Sequence, residues 1–318
     1  MSARPYIVLH GGFHKTATSH IQSMLARNSK MLERAGVHYV HHRKTRKEVT
    51  IPVQCNAYIK LGIGWDPKIY DEELSAMTGA FFADILENRP RRIILSDENL
   101  AGHCGHCVRF GKLYRWGETL MQVFGMQVPS GPDEVHFGLR NYADFFSSAY
   151  VEYLRSVSGQ WFIDERHMRR AVTARMPNWH KVLDTAKKAF PTAKVHAWRY
   201  EDFRQLDLAI LGNLCGPDID VTKLKEPKDK NKRPTASGRA VRELLQMIHK
   251  DGADAALSRR VEIQERYPRG KEYGGYDPWT RCEREHLTRI YERDVRAIEA
   301  DPDITFLRPA QGEMRKAV

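Results

Sequence analysis

An apolar segment that runs into a glycine pair and then into a helix narrows the choice of fold more than any other part of the chain. Tyr6 to His10 is a short apolar run, and Gly11-Gly12 follow it directly. The apolar residues beyond the loop recur at helical spacing, at Ile21, Met24, Leu25 and Leu32. The pattern predicts a buried β-strand, a tight loop and a helix. A helix N-terminus has unpaired N–H groups and partial positive charge, which suit an anion such as phosphate.

The alternation of strands and helices continues along the chain. Further short apolar segments predict strands at Val37–Val40, Arg92–Ser96, Val135–Leu139 and Lys194–Trp198. Helical patterns separate these segments, and the clearest apolar stripe runs from residue 145 to residue 157. This order predicts an α/β fold, a three-layer architecture in which helices flank both faces of a parallel sheet.

The 318 residues are expected to form a single domain. Residues 1–220 hold the predicted α/β core, and residues 221–318 a linker followed by a helical C-terminal extension. The linker prediction rests on residues 222–234, which are rich in Lys, Asp and Pro. Residues 41–70 are basic and contain Gly and Pro, so they are predicted to form an irregular insertion.

The chain is strongly basic, with a formal net charge of +11. That charge favours a polyanionic ligand or partner, such as a nucleotide, an acidic glycan or a membrane surface. Five scattered cysteines, the lack of a signal-peptide pattern and the lack of a long apolar run predict a soluble cytoplasmic protein. The basic run of residues 41–47 lacks interleaved aromatic residues, so nucleic acid is not the expected partner.

Polar residues follow several predicted strands, where ligands of parallel sheets bind. The loop His14-Lys15-Thr16-Ala17-Thr18-Ser19 offers a lysine and three hydroxyls. Lys15-Thr16 matches the end of the nucleoside-triphosphate loop GxxxxGK[ST], but His14 stands where that motif has Gly. The match is partial, and it favours a tighter loop around a single phosphate over a wide loop with Mg²⁺.

The same loop resembles the PKTGTT-type 5′-phosphosulfate loop of sulfotransferases that use 3′-phosphoadenosine 5′-phosphosulfate (PAPS). Arg140 and Ser148, in the segment from Leu139 to Tyr150, resemble the arginine and serine that bind the 3′-phosphate in that family. The segment Ser96–Leu100 resembles the strand-end acidic segment of bacterial carbohydrate sulfotransferases. Tyr200-Glu201-Asp202-Phe203 resembles a segment beside the adenine. The resemblance spans residues 6 to about 203 and implies a P-loop NTPase-like fold.

The loop departs from the family pattern at three positions: His14 replaces Pro, Ala17 replaces Gly and Ser19 replaces Thr. Ala17 has the clearest physical consequence. If its backbone requires a positive φ, alanine strains the loop by about 1 kcal/mol or more.

The resemblance implies a mechanism without a metal. Residues His14 to Ser19, together with Arg140, Ser148 and Tyr200, bind PAPS, and Lys15 stabilises the charge that develops on the departing phosphate oxygen. Glu98 is the candidate general base, with Asp97, His103 and His106 as alternatives. The predicted acceptor is a hydroxyl of a glycan or glycolipid. The basic charge is compatible with a peripheral contact at the inner face of a membrane.

Other interpretations stay open at this stage. Arg140 and Ser148 also have a purely structural interpretation. Arg140 would be a surface residue that caps the sheet, and Ser148 would be a small residue that lets two helices approach each other. The Cys104–Cys107 spacing lacks a second ligand pair, so no metal is expected there. The alternative functions are an ATP-dependent small-molecule kinase and a non-catalytic polyanion-binding protein. The sequence gives no indication of oligomeric state.

Overall fold

The computed structural model describes residues 4–227 and 235–310. Its centre is a six-stranded sheet in which all paired strands are parallel, in the order β2-β3-β1-β4-β5-β6. The strands are β1 (Tyr6–Gly12), β2 (Val37–Val40), β3 (Arg92–Ser96), β4 (Glu134–Leu139), β5 (Lys194–Arg199) and β6 (Ile304–Leu307). The predicted parallel α/β fold is therefore confirmed, and β1 lies near the middle of the sheet.

Helices cover both faces of the sheet. Those in the first half of the chain are α1 (Thr18–Arg27), α2 (Ser29–Arg34), α3 (His42–Thr45), α4 (Ile51–Lys60), α5 (Asp71–Glu87), α6 (Cys104–Phe110), α7 (Gly117–Gln127) and α8 (Tyr142–Ser156). Those in the second half are α9 (Glu165–Arg175), α10 (Trp179–Ala189), α11 (Phe203–Cys215), α12 (Gly238–Asp251), α13 (Ala253–Ser258), α14 (Arg260–Arg266) and α15 (Arg281–Glu299). In the ranges that the structure describes, no helix has the length and apolar composition to cross a bilayer.

The side chains of β1 alternate between two apolar layers. Val8 packs with α1 and α11 residues such as Ile21 and Ile210, whereas Ile7 and Leu9 belong to the larger cluster on the other face. The predicted stripe on α8 lies in that larger cluster, where Phe145 and Tyr150 are fully buried. Alternating burial along the strand thus produces the three predicted layers.

Two parts of the chain differ from the sequence analysis. Residues 41–70, predicted to be irregular, contain α3 and α4 joined by a π-helical turn at Arg46–Thr50. The sequence did not reveal these helices for two reasons. The segment begins with a run of basic residues, and the buried face of α4 includes polar residues such as Gln54 and Asn56, so no apolar stripe marks it. The C-terminal part also contributes a strand that the sequence analysis did not predict, since β6 pairs with β5 and extends the sheet.

Candidate active site

The loop after β1 has an unusual backbone. Gly12, Phe13, Lys15 and Ala17 all have positive φ angles, of 63°, 53°, 66° and 65°. A Cβ on Gly12 would lie 2.5 Å from the Thr18 hydroxyl, so this position excludes larger residues. The N–H groups of residues 15 to 19 have no hydrogen-bond partner within the described ranges. Successive unpaired N–H groups on a left-handed turn form a concave anion-binding surface.

Aromatic residues of the core hold this loop in place. Phe13 is fully buried, and its ring stacks on Phe137, Trp179 and Tyr114 at centroid distances of 4.7, 4.8 and 5.0 Å. The His14 N–H donates to the Tyr114 hydroxyl at 3.0 Å. Three aromatic contacts therefore offset the conformational strain of the positive φ angles.

The His14 ring is enclosed rather than open to a ligand. It is 8% exposed, with Nδ1 3.1 Å from the Tyr114 hydroxyl and Nε2 3.2 Å from Asn99 Oδ1. Burial lowers the pKa of His14 to about 4, so the imidazole is neutral at neutral pH. Both ring nitrogens and the N–H of His14 thus already have partners within the protein.

The threonine hydroxyls of the loop point inward. Thr16 Oγ1 donates to the carbonyl oxygens of Gly12 and Phe13, the latter at 2.8 Å, and Thr18 Oγ1 donates to Phe13 O at 3.1 Å. Both threonines are buried, whereas Ser19 is exposed. Gly138 makes room for Thr16, because a Cβ there would lie 2.9 Å from it. The two threonines thus shape the loop, and the amides of residues 15–19 are left unpaired.

Lys15 is held by a partner that the sequence analysis did not identify. Its Nζ lies 3.2 Å from Oε2 of Glu152 on α8, and Arg155 contacts the same oxygen at 2.9 Å. Burial alone raises the pKa of the Glu152 carboxyl, but Lys15 and Arg155 outweigh that effect and lower it below its usual range. An anion bound at the loop has to compete with Glu152 for the lysine.

Arg140 follows β4 and reaches the loop. Its guanidinium donates to the Lys15 carbonyl at 2.8 Å and lies over the Tyr200 ring, with Cζ 4.5 Å from the centroid. The Nε atom is buried and has no hydrogen-bond partner among the described residues. Arg140 also forms no ion pair with any of them. A buried guanidinium donor without a partner is costly, which favours an anionic ligand here.

A cavity of about 320 Å³ adjoins the loop and Arg140. Its lining residues are Ala17, Arg140, Asp144, Tyr200, Glu201, Phe203 and Arg204. Three of the predicted nucleotide-binding residues, Ala17, Arg140 and Tyr200, thus share one cavity. Ser148 is not among the lining residues, but it is half-buried on α8 and four residues from both Asp144 and Glu152. That spacing places Ser148 on the helix face between the cavity and Lys15.

Glu98 lies beyond the end of β3 and is already paired. Arg46 contacts Glu98 Oε1 at 2.8 Å and Asp97 Oδ1 at 2.6 Å, and Gln22 donates to Glu98 Oε2 at 3.1 Å. Burial raises the pKa of the Glu98 carboxyl, but the charges of His14, when protonated, and of Arg46 lower it below its usual range. Asp97 is buried and also accepts from Asn99 at 2.9 Å. Arg46 comes from the helical segment that the sequence analysis predicted to be irregular.

His103 is the exposed imidazole beside this network. It precedes α6, and its ring centroid lies 6.3 Å from that of His14 and 6.2 Å from that of His106. The surrounding protein removes part of its water shell, which lowers the pKa of His103 below its usual value. A neutral, accessible imidazole near the loop is chemically able to accept a proton.

No family model matches the chain, and no curated protein matches it significantly. Among solved structures, the chain is similar to a crystal structure of a sulfotransferase from Alicyclobacillus acidocaldarius, with a TM-score of 0.38 and 13% identity. The match covers 85% of this chain and 98% of the other.

Proposed function

We propose that this protein is a sulfotransferase that moves a sulfonate group from PAPS to a hydroxyl of a carbohydrate or glycolipid. One observation carries the proposal: the unpaired N–H groups of residues 15–19 lie next to the guanidinium of Arg140, which has no anionic partner among the described residues and lines the same cavity as Ala17. PAPS carries an anionic group at each end of its ribose, so it fits a site with two separate clusters of donors.

The residues divide the binding of PAPS between them. The loop amides and Lys15 take the 5′-phosphosulfate, Arg140 and Ser148 take the 3′-phosphate, and Tyr200 lies on the adenine side of the cavity. PAPS supplies the activated sulfonate. Lys15 and the amides stabilise negative charge on the departing phosphate oxygen, as preorganised donors do without reorganisation.

The placement of Thr16 argues against a kinase. In P-loop kinases and ATPases, the hydroxyl after the lysine coordinates Mg²⁺. Here that hydroxyl is fully buried and donates to two loop carbonyls, so it is turned away from the ligand side. Lysine, arginine and backbone amides supply the positive charge instead.

Two groups compete for the role of general base. Glu98 is the one that the family resemblance implies, but its ion pair with Arg46 makes it a weak base. His103 is neutral and accessible. We expect turnover to fall about 10²–10⁴-fold on replacing the true base, with nucleotide binding retained. Glu98→Gln and His103→Gln are the variants to compare.

The pH profile separates the two candidates. With Glu98 as base, kcat stays level from pH 8 down to pH 5, because the pKa of this carboxyl is lowered. With His103 as base, kcat falls in acid with a midpoint below about 6.5, because the pKa of this imidazole is lowered from its ordinary value. A profile of the first kind, together with an active His103→Gln variant, assigns the base to Glu98.

A thermal-shift experiment tests the proposed function. Adenosine 3′,5′-bisphosphate in the presence of EDTA should raise the melting temperature, since a ligand that binds only the folded state stabilises it. Stabilisation by Mg-ATP alone would indicate a kinase, and stabilisation by neither would indicate a polyanion-binding protein. Transfer from labelled PAPS to a panel of sugars and glycolipids then identifies the acceptor. The cytoplasmic location and the membrane contact stay predictions.

A further inference from the structure

A second cavity, of about 290 Å³, lies between α8, α12 and α14. Its walls are mainly apolar, and they include Val151 and Leu154 of α8, Val241 and Leu244 of α12, and Val261 of α14. Val261 is 64% exposed although it is a large apolar side chain. We call this cavity the apolar groove. A concave, mainly apolar cavity with a few polar groups is typical of a small-molecule site.

Arg155 connects the groove to the loop. It lines the groove and contacts Glu152 Oε2 at 2.9 Å, while Lys15 Nζ contacts the same oxygen at 3.2 Å. Because both nitrogens touch one atom, they are at most about 6 Å apart. Arg155 thus reaches from the groove to within about 6 Å of Lys15 Nζ.

The groove is suited to a narrow aliphatic chain. Its volume of about 290 Å³ is just below the range of typical small-molecule sites, about 300–1,000 Å³. Its polar residues are Arg155, Arg260 and Gln264, whereas sites that read sugars need several convergent polar groups. Arg260 donates to the Leu257 carbonyl at 3.1 Å and forms no ion pair with a described residue. It is thus available to a polar or anionic headgroup at the groove's edge.

We infer that the apolar groove binds the aliphatic chain of an amphiphilic acceptor, whose headgroup hydroxyl then lies near Lys15. The inference rests on the proposed function and narrows its acceptor to single-chain amphiphiles. Chain burial supplies affinity through apolar area removed from water, and Arg155 and Arg260 orient the headgroup. The carbohydrate alone contributes little to binding in the groove.

The test compares n-octyl β-glucoside, below its micelle concentration, with methyl β-glucoside in titration calorimetry on the full chain. The octyl compound should bind with one-to-one stoichiometry and a negative heat-capacity change, and the methyl compound should not bind measurably. Affinity should rise about threefold to fourfold for each added methylene until the groove is filled. Equal affinity for the two glucosides would overturn the inference.

Val261→Asp is the diagnostic variant, because Val261 is exposed and its replacement leaves the core intact. It should weaken octyl glucoside binding at least tenfold. Leu208→Asp is the matched control, since Leu208 is 44% exposed on α11 and does not line the groove. Equal effects of the two variants would mean that the detergent binds the surface in general, and the inference would be wrong.

The outcome is separable from that of the proposed function. If the protein is not a sulfotransferase, octyl glucoside still binds but adenosine 3′,5′-bisphosphate gives no thermal shift and no sulfonate is transferred. If the groove is not a chain site, the nucleotide binds and the acceptor preference shows no dependence on chain length or on Val261.

Discussion

Two arginines at opposite ends of the parallel strands have different environments. Arg92, at the start of β3, donates to the carbonyls of Leu214 and Asn213 at 2.8 and 2.7 Å and pairs with Glu134 at 3.2 Å. Arg140, after β4, makes one hydrogen bond to Lys15 O and has a buried Nε without a partner in the described ranges. The first guanidinium is neutralised by the protein, whereas the second is not.

The difference matches the proposed roles, in which Arg92 is structural and Arg140 binds a ligand. Glu134 also accepts from the Tyr6 hydroxyl at 2.8 Å, so the network around Arg92 is internally bonded. A buried charge is tolerated when it is paired. An unpaired one lowers the stability of the fold, so its presence points to a functional role. Lys15 is an intermediate case, because Glu152 holds it until an anion competes.

The largest effect is expected from removing the structural arginine. Arg92→Met leaves Glu134 buried without its cation, so the free energy of unfolding should fall by about 3–5 kcal/mol. Urea denaturation measures the loss. The folded variant should bind adenosine 3′,5′-bisphosphate like the original chain. A large loss of nucleotide affinity without a loss of stability would reverse the roles of the two arginines.

Removing the loop lysine should act on turnover. In Lys15→Ala, kcat should fall about 10²–10³-fold, because a preorganised positive charge at the departing oxygen is lost. Steady-state kinetics with PAPS give the comparison. The control is Glu152→Gln, which frees the lysine and should bind nucleotide more tightly with turnover retained. An active Lys15→Ala variant would contradict the role given to this residue.

Removing the ligand-facing arginine should act on affinity. Arg140→Ala loses charge-assisted hydrogen bonds worth about 1.5–3 kcal/mol, so the Kd for adenosine 3′,5′-bisphosphate should rise about 10–100-fold. The melting temperature without nucleotide should change little, because the lost hydrogen bond to Lys15 O and the lost Tyr200 contact are offset by the removal of an unpartnered buried donor. Calorimetric titration measures the first effect, and a strongly destabilised apo protein would count against the comparison.

The smallest effect concerns the loop backbone. Ala17 has a φ of 65°, so Ala17→Gly relieves a strain of about 1 kcal/mol, partly offset by the greater freedom of glycine in the unfolded chain. We expect a net gain in unfolding free energy of about 0.5 kcal/mol, read from urea denaturation. Ala255→Gly, at an exposed position in α13, should instead lower stability by about 0.5–1 kcal/mol. A loss in both variants would mean that Ala17 is not strained.

The sequence predicted what depends on local pattern. Alternating strands and helices, the loop after β1 and the polar strand ends could all be read from neighbouring residues. The family pattern raised the question of whether the backbone of Ala17 has a positive φ, and the structure shows that it does. The short edge strand β6 was missed because Ile304–Leu307 follows a long helix and alternates little in burial.

Contacts between distant residues could not be predicted in this way. Glu152 lies 137 residues from Lys15, Tyr114 lies 100 residues from His14, and Arg46 lies 51 residues from Asp97. None of these residues belongs to a recognisable motif, and each acquires its role only through packing. They surround the loop and set its charge, so the electrostatics of the site are a property of the folded chain.

Phe13 ties the anion-binding loop to the aromatic centre of the molecule. Because its ring rests on Phe137 and Trp179, a cavity made in that region would loosen the amides that face the ligand. Substitutions that never meet a nucleotide would then appear in kinetic assays as weaker binding. Screens for altered activity should therefore recover positions from the interior as well as from the pocket, and an affinity change by itself would not locate a residue at the surface of the site.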